Sequence, residues 1–412
     1  TVTETKTKIR IRGKKMEGLF KGVKVVDAAS FLAGPCAATI MADYGADVIK
    51  VEPLSGDGHR GISGGHPSEW SWQLTNRNKR SVALDINKPE GYELLIKLVA
   101  SADVLVVNFS SGQLAKFNLE WETLKAINPR LVFAQITAFG NKGADANRRA
   151  FDLTGWFART GILNTMRNKG QPPTTPAGGV GDHATAMTLY AGIVSALYQR
   201  DRTGEGCMVT TSLAATGTWA NGLQLQGTVA GEDAAERRDK EDWSNPLSNV
   251  YETKDGRFIL LALQNMKRDY PKLVKLLEHD EWLEEPEMRS IRPLFKNRIM
   301  ARQRIATAFL KFDTDEMLAR LEETGIVHEL IAKNIEVIED KQLIENEVII
   351  PYDSGKPHCD KTFATPFRLS TVSQRTPVGA PEIGEHTEQV LDELGLEQEE
   401  IRTLRESDVV RS

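Results

Sequence analysis

Short β-rich runs and helix-forming segments alternate between Val23 and Ala138, and few architectures accept that order. Residues 23–27, 47–52, 81–85, 103–108 and 130–138 read as strands, dense in Val, Ile and Leu. Residues 35–44, 89–102 and 119–127 read as the helices between them. Pro35 suits a first helical turn, where its missing N–H has no acceptor to lose. A strand followed by a helix of this length returns parallel to its neighbour, because antiparallel pairing needs only a tight turn. The expected fold class is therefore α/β, a doubly wound, Rossmann-like, mainly parallel sheet. In such sheets ligands gather beyond the strand ends, so loops 30–35, 108–112 and 139–143 are the candidate site walls.

The chain of 412 residues is too long for one core. After residue 221 the pattern changes. Residues 222–249 are rich in charge with scattered Gly and Asn, as in a crossing segment. Asp255-Gly256 between Val250 and Phe258 signals a hairpin, and helical spacing follows at 270–278, 298–312 and 314–323. A second, smaller α+β domain is expected there. The tail from Pro351 is turn-rich and ends in an amphipathic helix at 386–394. Residues 5–12 alternate basic and other side chains, as in a solvated arm or edge strand.

Net charge is −5, which carries no footprint for nucleic acid or an acidic membrane surface. Cys36, Cys207 and Cys359 are few and far apart, fitting neither a disulfide framework nor a zinc site. No run approaches transmembrane length, and the basic opening segment precedes no apolar one. A cytoplasmic protein with no membrane, nucleic-acid or metal partner is expected.

Asp182 is the residue that most narrows the chemistry. It follows the flexible stretch Ala177-Gly178-Gly179-Val180-Gly181 and heads a helix in which Met187, Tyr190, Val194 and Leu197 recur at helical spacing. That helix stops at Thr203-Gly204-Glu205-Gly206. An aspartate there accepts two readings. It is a plain N-cap, or it is a carboxylate kept ionised by free N–H groups and the helix dipole, ready to attack a carbonyl carbon. Spacing alone favours the cap. Gly179-Val180-Gly181-Asp182-His183-Ala184 also satisfies a dinucleotide fingerprint, but a Pro-rich segment precedes it instead of a strand. His183 lies on a different helical face from its neighbour and reads as a supporting or surface group. Glu52 and Asp152 are candidate acid–base helpers, more often structural at such positions.

Taken together, these pieces resemble the class III coenzyme A transferases. The matching segments are Gly22–Asp27, Ala33-Gly34-Pro35, Met41–Glu52, Asn78-Lys79-Arg80-Ser81, Asn108-Phe109, Gly181-Asp182-His183, Arg202–Gly206 and Gly384–Thr387. The resemblance implies that Asp182 is the nucleophile, forming a mixed anhydride and then an aspartyl-CoA thioester, with coenzyme A or acyl-CoA as substrate and no permanently bound cofactor. It implies a CoA pocket of Leu32, Ala33, Asn78, Lys79, Arg80, Asn108, Phe109, Lys116 and Arg149, with Gly179, Gly181 and Asp152 in support. Lys116 stands where some members carry Arg, a change that keeps charge but loses the planar fork. The resemblance also implies a homodimer of interlocked rings. Residues 1–220 would form the large domain, 221–345 the small domain with its linkers, and 346–412 a return to the large domain.

Two departures matter. Leu261–Asn265 lacks the glycine-rich lid of the formyl-CoA branch. Related α-methylacyl-CoA racemases place a base where this chain has Phe151, so the racemase reading loses support. The text around 133–137, 151–152 and 156–159 is nearest the branch acting on 2-hydroxy acids, such as phenyllactate or 2-hydroxyisocaproate, in amino-acid fermentation. Transfer of CoA to formate or oxalate, to carnitine or to a bile acid is also compatible with the family.

Overall fold

The computed structural model describes residues 18–232 and 245–412. The 5–12 arm and much of the 222–249 crossing segment lie outside the described residues. Two compact units emerge. One holds residues 18–162, 176–222 and 342–412; the other holds 163–175, 223–232 and 245–341. The excursion at 163–175 has no counterpart in the sequence reading, because its contacts are long-range and leave no periodic pattern.

The first unit follows the order β1 (Lys24–Asp27), α1 (Ala33–Asp43), β2 (Asp47–Glu52), α2 (Trp70–Asn76), β3 (Arg80–Leu84), α3 (Pro89–Ser101), β4 (Val104–Val107), α4 (Ser111–Lys116), α5 (Trp121–Ile127) and β5 (Val132–Thr137). After the short helix α6 (Ile162–Thr165), which lies in the second unit from Leu163 on, the first unit continues with α7 (Val180–Thr203), β6 (Met208–Ser212) and α8 (Leu213–Ala220), and α9 (Gly222–Val229) belongs to the second unit from Leu223 on. The strand order is β3-β2-β1-β4-β5-β6, parallel throughout. Strand order reverses between β1 and β4, and the crevice at their C-terminal ends is the natural ligand site.

Both faces of this sheet are covered, which explains the uninterrupted apolar runs. Val25, Val104, Val106, Val132 and Ala134 pack with α1 and α7. Val26, Ile49, Leu105, Val107 and Phe133 pack on the opposite face, with α3 and α5. Each side chain of this kind contributes roughly 1.5–3 kcal/mol on full burial.

The tail returns to this sheet. β10 (Ile349–Pro351) and β11 (Lys361–Phe363) pair with each other, and β12 (Val410–Arg411) adds antiparallel to β3. β12 thereby covers a sheet edge that would otherwise stay open. α16 (Thr387–Glu393) and α17 (Gln398–Glu406) precede it. The strand β12 is too short to be read from sequence.

The second unit has its own core of Tyr251, Ile259, Leu273, Phe309 and Leu321. The Asp255-Gly256 turn joins β7 (Val250–Glu252) and β8 (Phe258–Leu261), and β9 (His328–Leu330) completes a three-stranded sheet. Helices α10 (Met266–Leu276), α11 (Ile291–Lys296), α12 (Arg298–Phe309) and α13 (Thr314–Thr324) pack beside it, with a short α14 (Asn334–Val337). α15 (Lys341–Glu345) leads back to the first unit. The Leu261–Asn265 segment ends β8 and caps α10, with Asn265 Oδ1 accepting from the Arg268 N–H at 3.2 Å. No helix among the described residues is long and apolar enough to cross a membrane.

Candidate active site

A cavity of about 590 Å³ opens where strand order reverses. Its walls come from the loop after β1 (Ser30, Phe31, Leu32), the first residue of α1 (Ala33), the loop after β4 (Asn108, Phe109, Ser110) and the end of β5 (Ile136, Thr137, Ala138). Residues 146–151, Asp182 and Leu213 complete it. This size suits a small-molecule ligand.

Asn108 joins the two switch-point loops. Its Nδ2 donates to the Ser30 carbonyl at 2.8 Å and its Oδ1 accepts from the Ser30 N–H at 3.0 Å. Gln135, buried on β5, donates to the Phe109 carbonyl at 2.8 Å and accepts from Asn141 at 2.7 Å. The cavity floor is thus hydrogen-bonded across strands that are far apart in sequence. Gln135 is not marked out by sequence, since a polar residue in a strand signals nothing until its partner is known.

Asp182 is not the N-cap. α7 begins at Val180, and Gly179 caps it in the left-handed region at φ 95°. Asp182 occupies the first turn, and the first intrahelical bond runs from the His183 N–H to the Gly179 carbonyl at 3.0 Å. The N–H groups of Val180, Gly181 and Asp182 therefore have no intrahelical acceptor. Two local demands shape this turn. A Cβ on Gly181 would lie 2.6 Å from Trp156 Cγ, and Gly179 has a φ that L side chains rarely adopt. Buried Asp152 holds the turn, its Oδ2 accepting from the Gly179 N–H at 2.6 Å and its Oδ1 from the Leu153 N–H at 2.7 Å. A π-helical turn, Leu153–Ala158, follows directly and carries Trp156 to Gly181.

The electrostatics differ from the sequence expectation of a simply ionised carboxylate. Burial pushes the Asp182 carboxyl up to about 7, and the neighbouring Asp152 adds to the rise. The first-turn dipole works in the opposite direction. Asp182 has no hydrogen-bond or ion-pair partner among the described residues. A half-buried carboxylate with no partner is costly to the fold, so stability gives this position no reason to be Asp.

The expected CoA contacts divide. Leu32, Ala33, Asn108, Phe109 and Arg149 line the cavity with Asp182. Arg149 is exposed at its rim with no ion-pair partner among the described residues, whereas Arg148 is 3.7 Å from Asp145. Lys116 lies one helical turn beyond the lining residue Gln113, with Nζ 4.7 Å over the Phe117 ring, and does not line the cavity. Asn78, Lys79 and Arg80 do not line this cavity. Lys79 is fully buried, with Nζ bonded to Asp27 Oδ2 and the Pro35 carbonyl at 2.8 Å, Asn76 Oδ1 at 2.9 Å and the Thr75 carbonyl at 3.0 Å. Asn78 ties Asp43 to Val378, each at 2.8 Å. Arg80 pairs with Asp47 and Glu393. Their polar groups are consumed inside the fold, since burying a charge in a sheet core demands a partner. Glu52 is likewise structural, accepting from Arg60, Ser81 and the Asp57 N–H.

His183 is an exposed residue whose Nδ1 is 3.7 Å from Cys36 Sγ. Burial pushes the Cys36 thiol up to about 12, so this pair is no activated thiolate. Phe151 lines the cavity and stands edge-to-face with Phe31, centroids 5.3 Å apart. Phe31 itself sits at φ 66°, a conformation that costs an L residue roughly 1–2 kcal/mol.

The family described as CoA-transferase family III matches residues 20–387. The chain is 34% identical over 401 residues to (R)-2-hydroxy-4-methylpentanoate CoA-transferase of Clostridioides difficile, covering 95% of this chain and 100% of that protein. It is 30% identical to cinnamoyl-CoA:phenyllactate CoA-transferase of Clostridium sporogenes, covering 94% and 96%. A CAIB/BAIF family protein from Brucella suis shares the fold with a TM-score of 0.81 at 29% identity, covering 92% of this chain and 100% of that one. With the match spanning both units and the cavity at the switch point, the chain belongs to the class III CoA-transferases and is an enzyme of that family.

Proposed function

We propose that the enzyme moves CoA from an acyl-CoA to a 2-hydroxy carboxylic acid through covalent intermediates on Asp182. One observation carries this reading: Asp182 is a carboxylate without a protein partner among the described residues, facing a ligand-sized cavity beside unpaired first-turn N–H groups. The relatives named for 2-hydroxy-4-methylpentanoate and phenyllactate support the acid class.

The steps follow from what a carboxylate does to a thioester. Asp182 attacks the acyl carbonyl, the C–S bond breaks, and CoA departs as thiolate, leaving a mixed anhydride. The thiolate then attacks the aspartyl carbonyl and releases the first acid as a carboxylate. The second acid's carboxylate attacks the resulting aspartyl-CoA thioester, breaking its C–S bond, expelling CoA thiolate and giving a new mixed anhydride; the thiolate then attacks the new acyl carbonyl and expels the Asp182 carboxylate. Asp182 is restored and no thioester is lost to water. The N–H groups of Val180, Gly181 and Asp182 are the nearest donors for the oxyanions formed. Leu32, Ala33, Asn108 and Phe109 are proposed to bound the CoA arm, and Arg149 to meet a phosphate.

Peptide mass analysis of enzyme quenched during turnover tests the reading. A hydroxylamine-sensitive adduct on the peptide bearing residue 182 is expected, and its absence in an active enzyme refutes the covalent route. We also propose a homodimer. The resemblance to the class III family supports this assembly. Light scattering at twice the chain mass is expected; a monomer refutes it.

A further inference from the structure

Phe31 is a bulky residue in the left-handed region, at φ 66°, and the fold holds it there with a buried charge. Its N–H donates to Asp57 Oδ1 at 3.1 Å, an oxygen that also accepts from the His59 N–H at 2.9 Å. Asp57 Oδ2 lies 2.9 Å from Lys50 Nζ, and both side chains are fully buried. Lys50 also donates to the Ala29 carbonyl, two residues before Phe31. Burial pushes the Asp57 carboxyl up, but Lys50 and the two N–H groups outweigh it, so the anion persists. Strain that persists because its surroundings over-determine it points to a use.

That use is visible in where the ring lies. One side rests on Gly58, where an added Cβ would come within 3.2 Å of Phe31 Cζ. The Phe151 ring stands edge-to-face at 81°. Both rings border the cavity that holds Asp182, yet they are 37% and 61% exposed. Ile136, Ala150 and Leu213 continue the apolar wall. Such a wall has no partner for a second carboxylate and gains most when an apolar side chain covers it.

We infer that the Phe31–Phe151 pair, positioned by Asp57 and Lys50, reads the side chain of the acid carried by Asp182 and selects branched aliphatic or aromatic groups. This rests on the proposed 2-hydroxy acid transfer. The test compares kcat/KM for 2-hydroxy-4-methylpentanoate, lactate and malate as acceptors. Added apolar carbons in a fitted pocket are worth roughly 10–200-fold each, so the wild-type enzyme is expected to favour the first acid over lactate by about 100-fold or more. Phe31→Gly removes the ring while accepting the left-handed backbone, and Phe151→Ala trims an exposed side chain; neither change opens the core. Each is expected to narrow the ratio by about tenfold, and any narrowing beyond threefold supports the assignment. Ratios within threefold of wild type in both variants overturn it. A wild-type enzyme that transfers CoA to none of the three acids sinks the functional reading itself.

Discussion

Replacing Asp182 by Asn separates the stability of this site from its chemistry. The Asp182 carboxyl stands at about 7, against an ordinary 3.8, because burial penalises its anion and Asp152 repels it. As pH falls, the folded protein takes up this proton near pH 7, whereas the unfolded chain takes it up only near pH 4. Between roughly pH 4 and pH 7 the folded state therefore binds more protons, and stability falls as pH rises through that window. Above pH 7 the loss is complete. A gap of about three units at 1.36 kcal/mol each sets a ceiling near 4 kcal/mol. Partial exposure and the first-turn dipole reduce it, leaving about 1–3 kcal/mol. Asn does not titrate and nearly matches the shape, so the variant escapes this cost. Urea midpoints of both proteins at pH 5, 6, 7 and 8 provide the assay. Asp182→Asn is expected to gain on the parent as pH rises, reaching its full advantage near pH 8, with transfer abolished. An advantage independent of pH, or one that grows toward acid, refutes the burial argument.

Further expectations follow from the same geometry. The attacking form is the anion, so kcat/KM should drop about tenfold per unit below pH 7. Asp152→Asn removes the repelling charge and should move that acid limb to lower pH, read from a pH–rate profile. Gly181→Ala drives a Cβ into Trp156 and should cost about 1–3 kcal/mol in denaturant unfolding, with lower activity. Asn108→Ala removes both bonds to Ser30 and should destabilise by about 1–3 kcal/mol, with kcat/KM falling as the switch-point loops part. Arg149→Ala should raise the KM for acyl-CoA and flatten its salt dependence, while Lys79→Met should act on stability and not on KM.

The Asn78-Lys79-Arg80 cluster shows why the partners of such side chains are illegible in sequence. Three adjacent cationic or polar residues after a helix look alike whether they meet a phosphate or a buried aspartate. Asp27, Asp43 and Asp47, their partners, lie about 30–50 residues away, and no local pattern records such a pairing. Phe31 is similar. Its left-handed backbone depends on Asp57 and Lys50, and aromatic residues are not expected at positive φ.

The alternation of β-rich and helical segments settled the parallel sheet, because apolar period and segment length are properties of adjacent residues. The start of the helix that carries Asp182 was readable to within two residues, Val180 against Asp182, since a helix start is written within a few positions. What only the tertiary structure decided is electrostatic and long-range. It set how deeply Asp182 is buried, which cations are already neutralised, and which rings face the cavity. Each of these depends on groups brought together by the sheet from distant parts of the chain, and desolvation exists only once they have met.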